Sequence, residues 1–145
     1  NLPLIFLSLV YLQIIIGAFV SGMDAGQIYN SWPLMGSNYF PDDNEHVNLF
    51  KLSAFSDPSL VQFMHRNLAY LILIFYFVIF IKIYKNKLIN LYLPINIVGI
   101  FLIIQILLGI LTLIYGAQIV LASMHQISSI FLVSASVYFL FLNSN

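Results

Sequence analysis

Two histidines stand inside apolar stretches of this chain, His65 in VQFMHRNLAY and His125 in LASMHQISS. An ionisable side chain at membrane depth is costly, so it faces a bundle interior and has a task there. Two imidazoles at one depth, on separate helices, form the donor set for an iron porphyrin held from both faces. Their neighbours suit a flat ligand: Ala122, Ser128 and Ser129 lie within a turn of His125, and Ala69 one turn beyond His65. Such small residues leave room for a ring. Arg66 follows His65 and can pair with a carboxylate such as a porphyrin propionate. A ligating imidazole also needs an acceptor for its second ring nitrogen. Gln62, one turn before His65, and a backbone carbonyl are both placed for that.

Other residue types narrow the chemistry. Cysteine is absent, which removes thiolate metal sites, iron–sulfur clusters and disulfides. No third or fourth ligand accompanies the histidines, so zinc fits poorly. His46 with Asp42, Asp43 and Glu45 is either a peripheral metal site or a solvated acidic loop, the latter being the ordinary outcome. Met64 and Met124 precede the histidines and point about 100° away on a helix, as packing residues rather than axial ligands. Asp24, in SGMDAG, either orders the loop after the first helix or approaches the edge of a cofactor; the structural role is the simpler one.

The elements that position these residues are membrane helices. Of 145 residues, 61% are hydrophobic and 7% charged, with a net charge of zero. A soluble domain would carry about a quarter charged residues, and no basic excess points to nucleic acid. A span needs about 20 apolar residues. Four segments meet that length, at 2–21, 59–83, 91–115 and 117–142, with a long loop at 22–58. The expectation is an all-α membrane protein, an antiparallel bundle of four transmembrane helices forming a single heme-binding domain over 1–145. The third and fourth helices meet at Gly116, as a tight hairpin. On those bounds His65 lies six residues and His125 eight residues inside their helices, about 9 and 12 Å at 1.5 Å per residue.

Lys82, Lys85 and Lys87 cluster between the second and third helices. The positive-inside rule places that short connection in the cytoplasm or its organellar equivalent, and the 22–58 loop outside. The loop holds all five acidic residues and one base, Lys51. GMDAGQIYNSWPLMG should fold tightly, with Tyr29, Trp32 and Tyr39 in an interfacial belt. HVNLFKLSAF is either a short interfacial helix or an irregular loop. The chain starts at Asn1 with no charged n-region before its apolar run, which reads as a piece of a larger protein rather than as a signal peptide.

A weak repeat runs through the chain. QIIIG (Gln13 to Gly17) echoes QILLG (Gln105 to Gly109), each ahead of a connection to a histidine-bearing helix. It signals either two related helix–loop–helix units or two glycines that merely permit close packing.

Taken in order, GAFVSGMDAGQIYNSWPLMG, VQFMHRNLAY, QILLGILTL and LASMHQISS resemble the C-terminal half of heme A synthase, in the branch found in alpha-proteobacteria and mitochondria. The resemblance covers nearly the whole chain. It implies one half of a pseudo-symmetric eight-helix enzyme of cytochrome c oxidase assembly, located in a bacterial or mitochondrial inner membrane. That enzyme oxidises a methyl group of heme O to the formyl group of heme A. It implies a heme b between His65 and His125, relaying electrons. It also implies as partners the other half of the enzyme, heme O and an electron donor, in a bilayer, with self-association possible for the piece alone. The family's N-terminal half, with its own histidine pair and essential glutamate, has no counterpart here. Asp24 falls near where the repeat would put that glutamate, and no catalytic role carries over to it. The outer-loop cysteine pair of some members is missing too, as in the branch this chain resembles. With the heme O site assigned to the other half, this half alone should bind heme and not make heme A. Two other readings stay open: a small bis-histidine cytochrome that only transfers electrons, and a heme-free assembly subunit.

Overall fold

In the computed structural model, residues 1–144 are described, and 79% of the structure is helical, with no strand among those residues. Helix α1 spans Leu2–Gly22, α2 Pro58–Lys85, α3 Tyr92–Ile114 and α4 Ile119–Ser144. All four are long and apolar enough to cross a membrane, with mean hydropathy from 1.7 to 2.9. Every backbone N–H and C=O within such a span must be satisfied inside its own segment, and helices achieve that. The protein is therefore an integral membrane four-helix bundle.

Local chemistry sets the helix ends. At the start of α2, Pro58 takes a position whose N–H would be idle, and the Asp57 carboxylate accepts from Leu60 N at 3.1 Å. Lys82 and Lys85 lie in its last turn, where cations meet the negative end of the helix dipole. The α3–α4 turn is closed by Gly116 and Ala117, both in the left-handed region at φ 65° and 55°. Gly116 adopts that conformation freely; Ala117 does so at a cost, with its N–H bonded to Thr112 O at 2.8 Å.

The helices form a ring. Helix α1 packs on α2 and α4, and α3 packs on α4 and, less extensively, on α2. Helices α2 and α4 thus stand diagonally across the bundle. Four lengths of helix meet tightly only at the lysine end. There Phe6 and Val10 of α1 join Ile72 to Ile83 of α2, Ile95 to Leu102 of α3 and Leu132 to Phe139 of α4. Tyr76 reaches across to α3, its hydroxyl 3.4 Å from Ile95 O, over Gly99, where a Cβ would collide with it. Between apolar helices in lipid, van der Waals contact of this kind carries the association, since no water is expelled.

The opposite end is different. Helix α3 buries no residue fully beyond Leu102, and α4 none before Leu132. The 23–57 connection sits at this end. It contains three short 3₁₀ turns, Ala25–Gln27, His46–Phe50 and Leu52–Ser56. The HVNLFKLSAF segment is therefore not one interfacial helix. Lys51 is extended, at φ −97° and ψ 147°, and splits it into two turns. Phe50 and Leu52, on either side of the break, are about nine-tenths exposed.

Candidate functional site

Both histidines lie at the loop end of the bundle. His65 comes seven residues after Pro58, and His125 six residues after Ile119. Their depths match more closely than the sequence-based bounds suggested, because α2 begins one residue earlier and α4 two residues later.

Each ring rests on a glycine of the preceding helix. A Cβ on Gly17 would stand 3.0 Å from His65 Cε1 and 3.6 Å from its Nδ1. A Cβ on Gly109 would stand 3.1 Å from His125 Cε1 and 3.6 Å from its Nδ1. Gly17 is five residues before the end of α1, and Gly109 five before the end of α3. The QIIIG and QILLG echo is thus spatial as well: two hairpins, each with a glycine under a histidine.

The glutamines of the echo belong to the same contacts, which the sequence reading did not assign to them. Gln13 Nε2 donates to the His65 carbonyl at 3.0 Å and lies 3.3 Å from His65 Nε2. On the other hairpin, Ser128 Oγ lies 2.6 Å from Gln105 Oε1 and 3.0 Å from the His125 carbonyl. The available signal was polarity: Gln13 and Gln105 are amides inside otherwise apolar helices, where a polar side chain needs a partner. The Nδ1 atoms of His65 and His125 are buried without a hydrogen-bond partner among the described residues, as is Gln13 Oε1.

Gln62, considered as the acceptor for His65, is buried and donates through Nε2 to Tyr29 O at 3.1 Å, while its acceptor atom Oε1 is buried without a partner among the described residues. Arg66 is also turned to the loop. Its Nη1 donates to the carbonyls of Ser31 and Leu34 at 3.0 and 3.2 Å, and its Nη2 to Tyr29 O at 2.9 Å. Only Nε is left buried without a partner among the described residues. Further along the same helix face, Asn67 accepts from Tyr39 OH at 2.6 Å, and Tyr70 OH accepts from Trp32 Nε1 at 2.9 Å. These aromatic residues fasten the loop to α2. Asn30 adds a tie to α3, donating to Leu113 O at 2.9 Å.

The loop carboxylates are likewise engaged within the fold. Asp43 accepts from Ser59 Oγ at 2.7 Å and Tyr29 OH at 2.9 Å. Burial pushes its carboxyl up, but those hydrogen bonds prevail and hold it below the usual value of 3.8. Asp42, held by the Asn38 amide and by Ser37, is lowered as well. Tyr29 is raised, by burial first and then by the Asp43 carboxylate. His46 stacks on Phe40 with ring centroids 4.1 Å apart. No group of three metal-ligating side chains forms among the described residues. Asp24 is left-handed, at φ 51°, and heads the first 3₁₀ turn, in the loop-ordering position. Met124 is half exposed, away from the interior.

The sequence that builds this site matches a known family. The model of the family described as cytochrome oxidase assembly protein matches residues 2–137. The chain belongs to this family. It is similar to the heme A synthase of Pelagibacter ubique strain HTCC1062, with 43% identity over 150 residues, covering all of this chain and 43% of that protein. It is similar to the heme A synthase of Rickettsia prowazekii strain Madrid E at 40% identity, covering 97% of this chain and 42% of that protein. The heme A synthase of Rickettsia bellii strain OSU 85-389 is 41% identical, over 95% of this chain and 42% of its own length. The chain therefore spans less than half the length of these family members. No solved structure matches it.

Proposed function

We propose that this chain is the heme-bearing, electron-relaying C-terminal half of a heme A synthase, with His65 and His125 as the two axial ligands of a b-type heme. The observation that carries the reading is the matched pair of imidazoles. They stand on diagonal helices, each over a glycine, at the end of the bundle where α3 and α4 bury no residue fully. The residues fit such a group: each imidazole keeps a buried Nδ1 without a hydrogen-bond partner among the described residues, and Ala69, Ala122 and Ser128 are small. Bound there, heme supplies a one-electron carrier.

The chain's own residues do the rest. His65 and His125 set the depth and tilt of the site. Arg66, through its remaining Nε–H, is the group left to meet a heme carboxylate. The 23–57 loop, fastened to α2, shields this end from water. By the lysine asymmetry the loop lies on the outer face of a bacterial or mitochondrial inner membrane. Oxidation of the heme O methyl group to a formyl group belongs to a second site, in the other half of the enzyme, to which this half delivers or from which it withdraws electrons.

The test is spectroscopic. Purified in mild detergent and loaded with heme, the wild type should give a reduced low-spin b-type spectrum. His65→Ala and His125→Ala should each turn high-spin or lose the heme. A wild type that remains colourless after loading would sink the assignment.

A further inference from the structure

Gly17 and Gly109 do more than let helices approach. In an α-helix the side chain at one position leans toward the preceding turn and covers the carbonyl four residues earlier. A glycine leaves that carbonyl open on its face. The carbonyls beneath Gly17 and Gly109 are those of Gln13 and Gln105, and each glycine has the ring of the facing histidine against it. The ring nitrogens nearest the glycines include both Nδ1 atoms, each 3.6 Å from where a Cβ would stand. Both Nδ1 atoms are buried and lack a partner among the described residues. A buried imidazole N–H without an acceptor is costly, and a donor facing an open carbonyl is the cheapest way to remove that cost.

We propose that Gln13–Gly17 and Gln105–Gly109 are paired imidazole cradles, in which each glycine opens the main-chain carbonyl of the glutamine for the Nδ1–H of the facing histidine. The glutamine side chain then fixes the histidine's own backbone. Gln13 does so directly, at the His65 carbonyl, and Gln105 does so through Ser128, at the His125 carbonyl. These are positioning residues. They set the tautomer, with the proton on Nδ1 and Nε2 as the ligating nitrogen once the Gln13 amide, 3.3 Å from His65 Nε2, gives way to iron, and they raise the basicity of the ligand by accepting its other proton. The two cradles are not equal. His65 is held by one direct amide contact, His125 by a hydroxyl relay, so the two ligands differ in stiffness.

This inference rests on the heme reading above, and its test separates the two. The heme-loaded wild type is compared with Gly17→Ala, Gly109→Ala and Gln13→Met by midpoint potential and by the low-spin electron paramagnetic resonance spectrum. Gly22→Ala is the control, because a Cβ there meets nothing within 4 Å. Both glycine variants should keep the heme but shift the midpoint potential upward and change the largest g value, since a weakened N–H···O bond makes each imidazole a poorer donor to ferric iron. Gln13→Met, similar in length and apolar, should change the g value through His65 alone. Gly22→Ala should match the wild type. If the glycine variants keep a low-spin heme with the potential and g values of the wild type, the cradle is overturned while the ligands stand. If one variant does not stay monodisperse, the other hairpin's variant decides. A wild type without a bis-histidine spectrum would instead overturn the reading on which the cradle rests.

Discussion

Arg66 sits beside a histidine and was expected to meet a carboxylate, yet three loop carbonyls claim its guanidinium. Position in the sequence shows what lies within a turn of Arg66. It does not show which backbone returns from some thirty residues upstream to lie against it. The same limit applied to Gln62, whose amide N–H is taken by Tyr29 O. Gln13, fifty-two residues from His65 in sequence, is the amide that reaches it. The histidines themselves, and the smallness of Ala69 and Ser128, could be read directly because a titratable group in an apolar run is conspicuous wherever it folds. Arg66→Gln should release the 29–34 segment. Hydrogen bonds to a charged donor contribute about 1.5–3 kcal/mol each when well formed. Part of Arg66's set is exposed, so a loss of about 2 kcal/mol in loop closure is expected, close to a 30-fold faster cleavage of the loop by added protease under fast reclosing. Unchanged cleavage would mean that Trp32, Tyr39 and Asn30 hold the loop without it.

At the level of elements, four apolar runs announced four helices, and their ends fell within three residues of expectation. Length and hydropathy suffice for that, because a bilayer gives an apolar run little choice of conformation. The loop was less legible. Its aromatic and glycine-rich part does fold tightly, but the HVNLFKLSAF segment divides at Lys51, a break that depends on backbone angles rather than on any helix-breaking residue. The loop also has a pH response. The Asp43 carboxyl is held below its ordinary value by Ser59 and Tyr29. A depressed carboxylate stabilises the folded loop fully above the unfolded value near 4, and that contribution is lost as the pH falls through the lower, folded value. Trp32 fluorescence and loop proteolysis should be flat from neutral pH down to about 4, then report loosening below it. Ser59→Ala should bring the folded value closer to the unfolded one and so shrink the loosening between neutral and acid pH. A loss of undiminished size would remove Asp43 as its cause.

For the molecule as a whole, the notable asymmetry lies between a lysine end where all four helices bury residues against one another and a loop end where α3 and α4 bury none fully. Sequence could not reveal it, since the exposed and buried sides of these helices are about equally apolar. It has a bearing on stability. A ligand that binds only the folded bundle stabilises it by mass action, so heme should raise the unfolding midpoint in detergent markedly. A Phe139→Ala change at the packed end should lower it with or without heme, by about 3–5 kcal/mol for a fully buried phenylalanine. If heme leaves the midpoint unchanged, the loop end is not where it binds.

Each hairpin contributes one imidazole, one glycine and one glutamine, and only the short stretch from Asn86 to Leu91 joins them. Covalent continuity at that point is therefore a convenience of synthesis rather than a requirement of the site. Cut there and made as two polypeptides in one membrane, α1–loop–α2 and α3–α4 should find each other and share a single low-spin heme, while either piece alone should hold none in that state. The prosthetic group would then be the joint of an obligate two-part assembly, with each part a separately exchangeable half-socket.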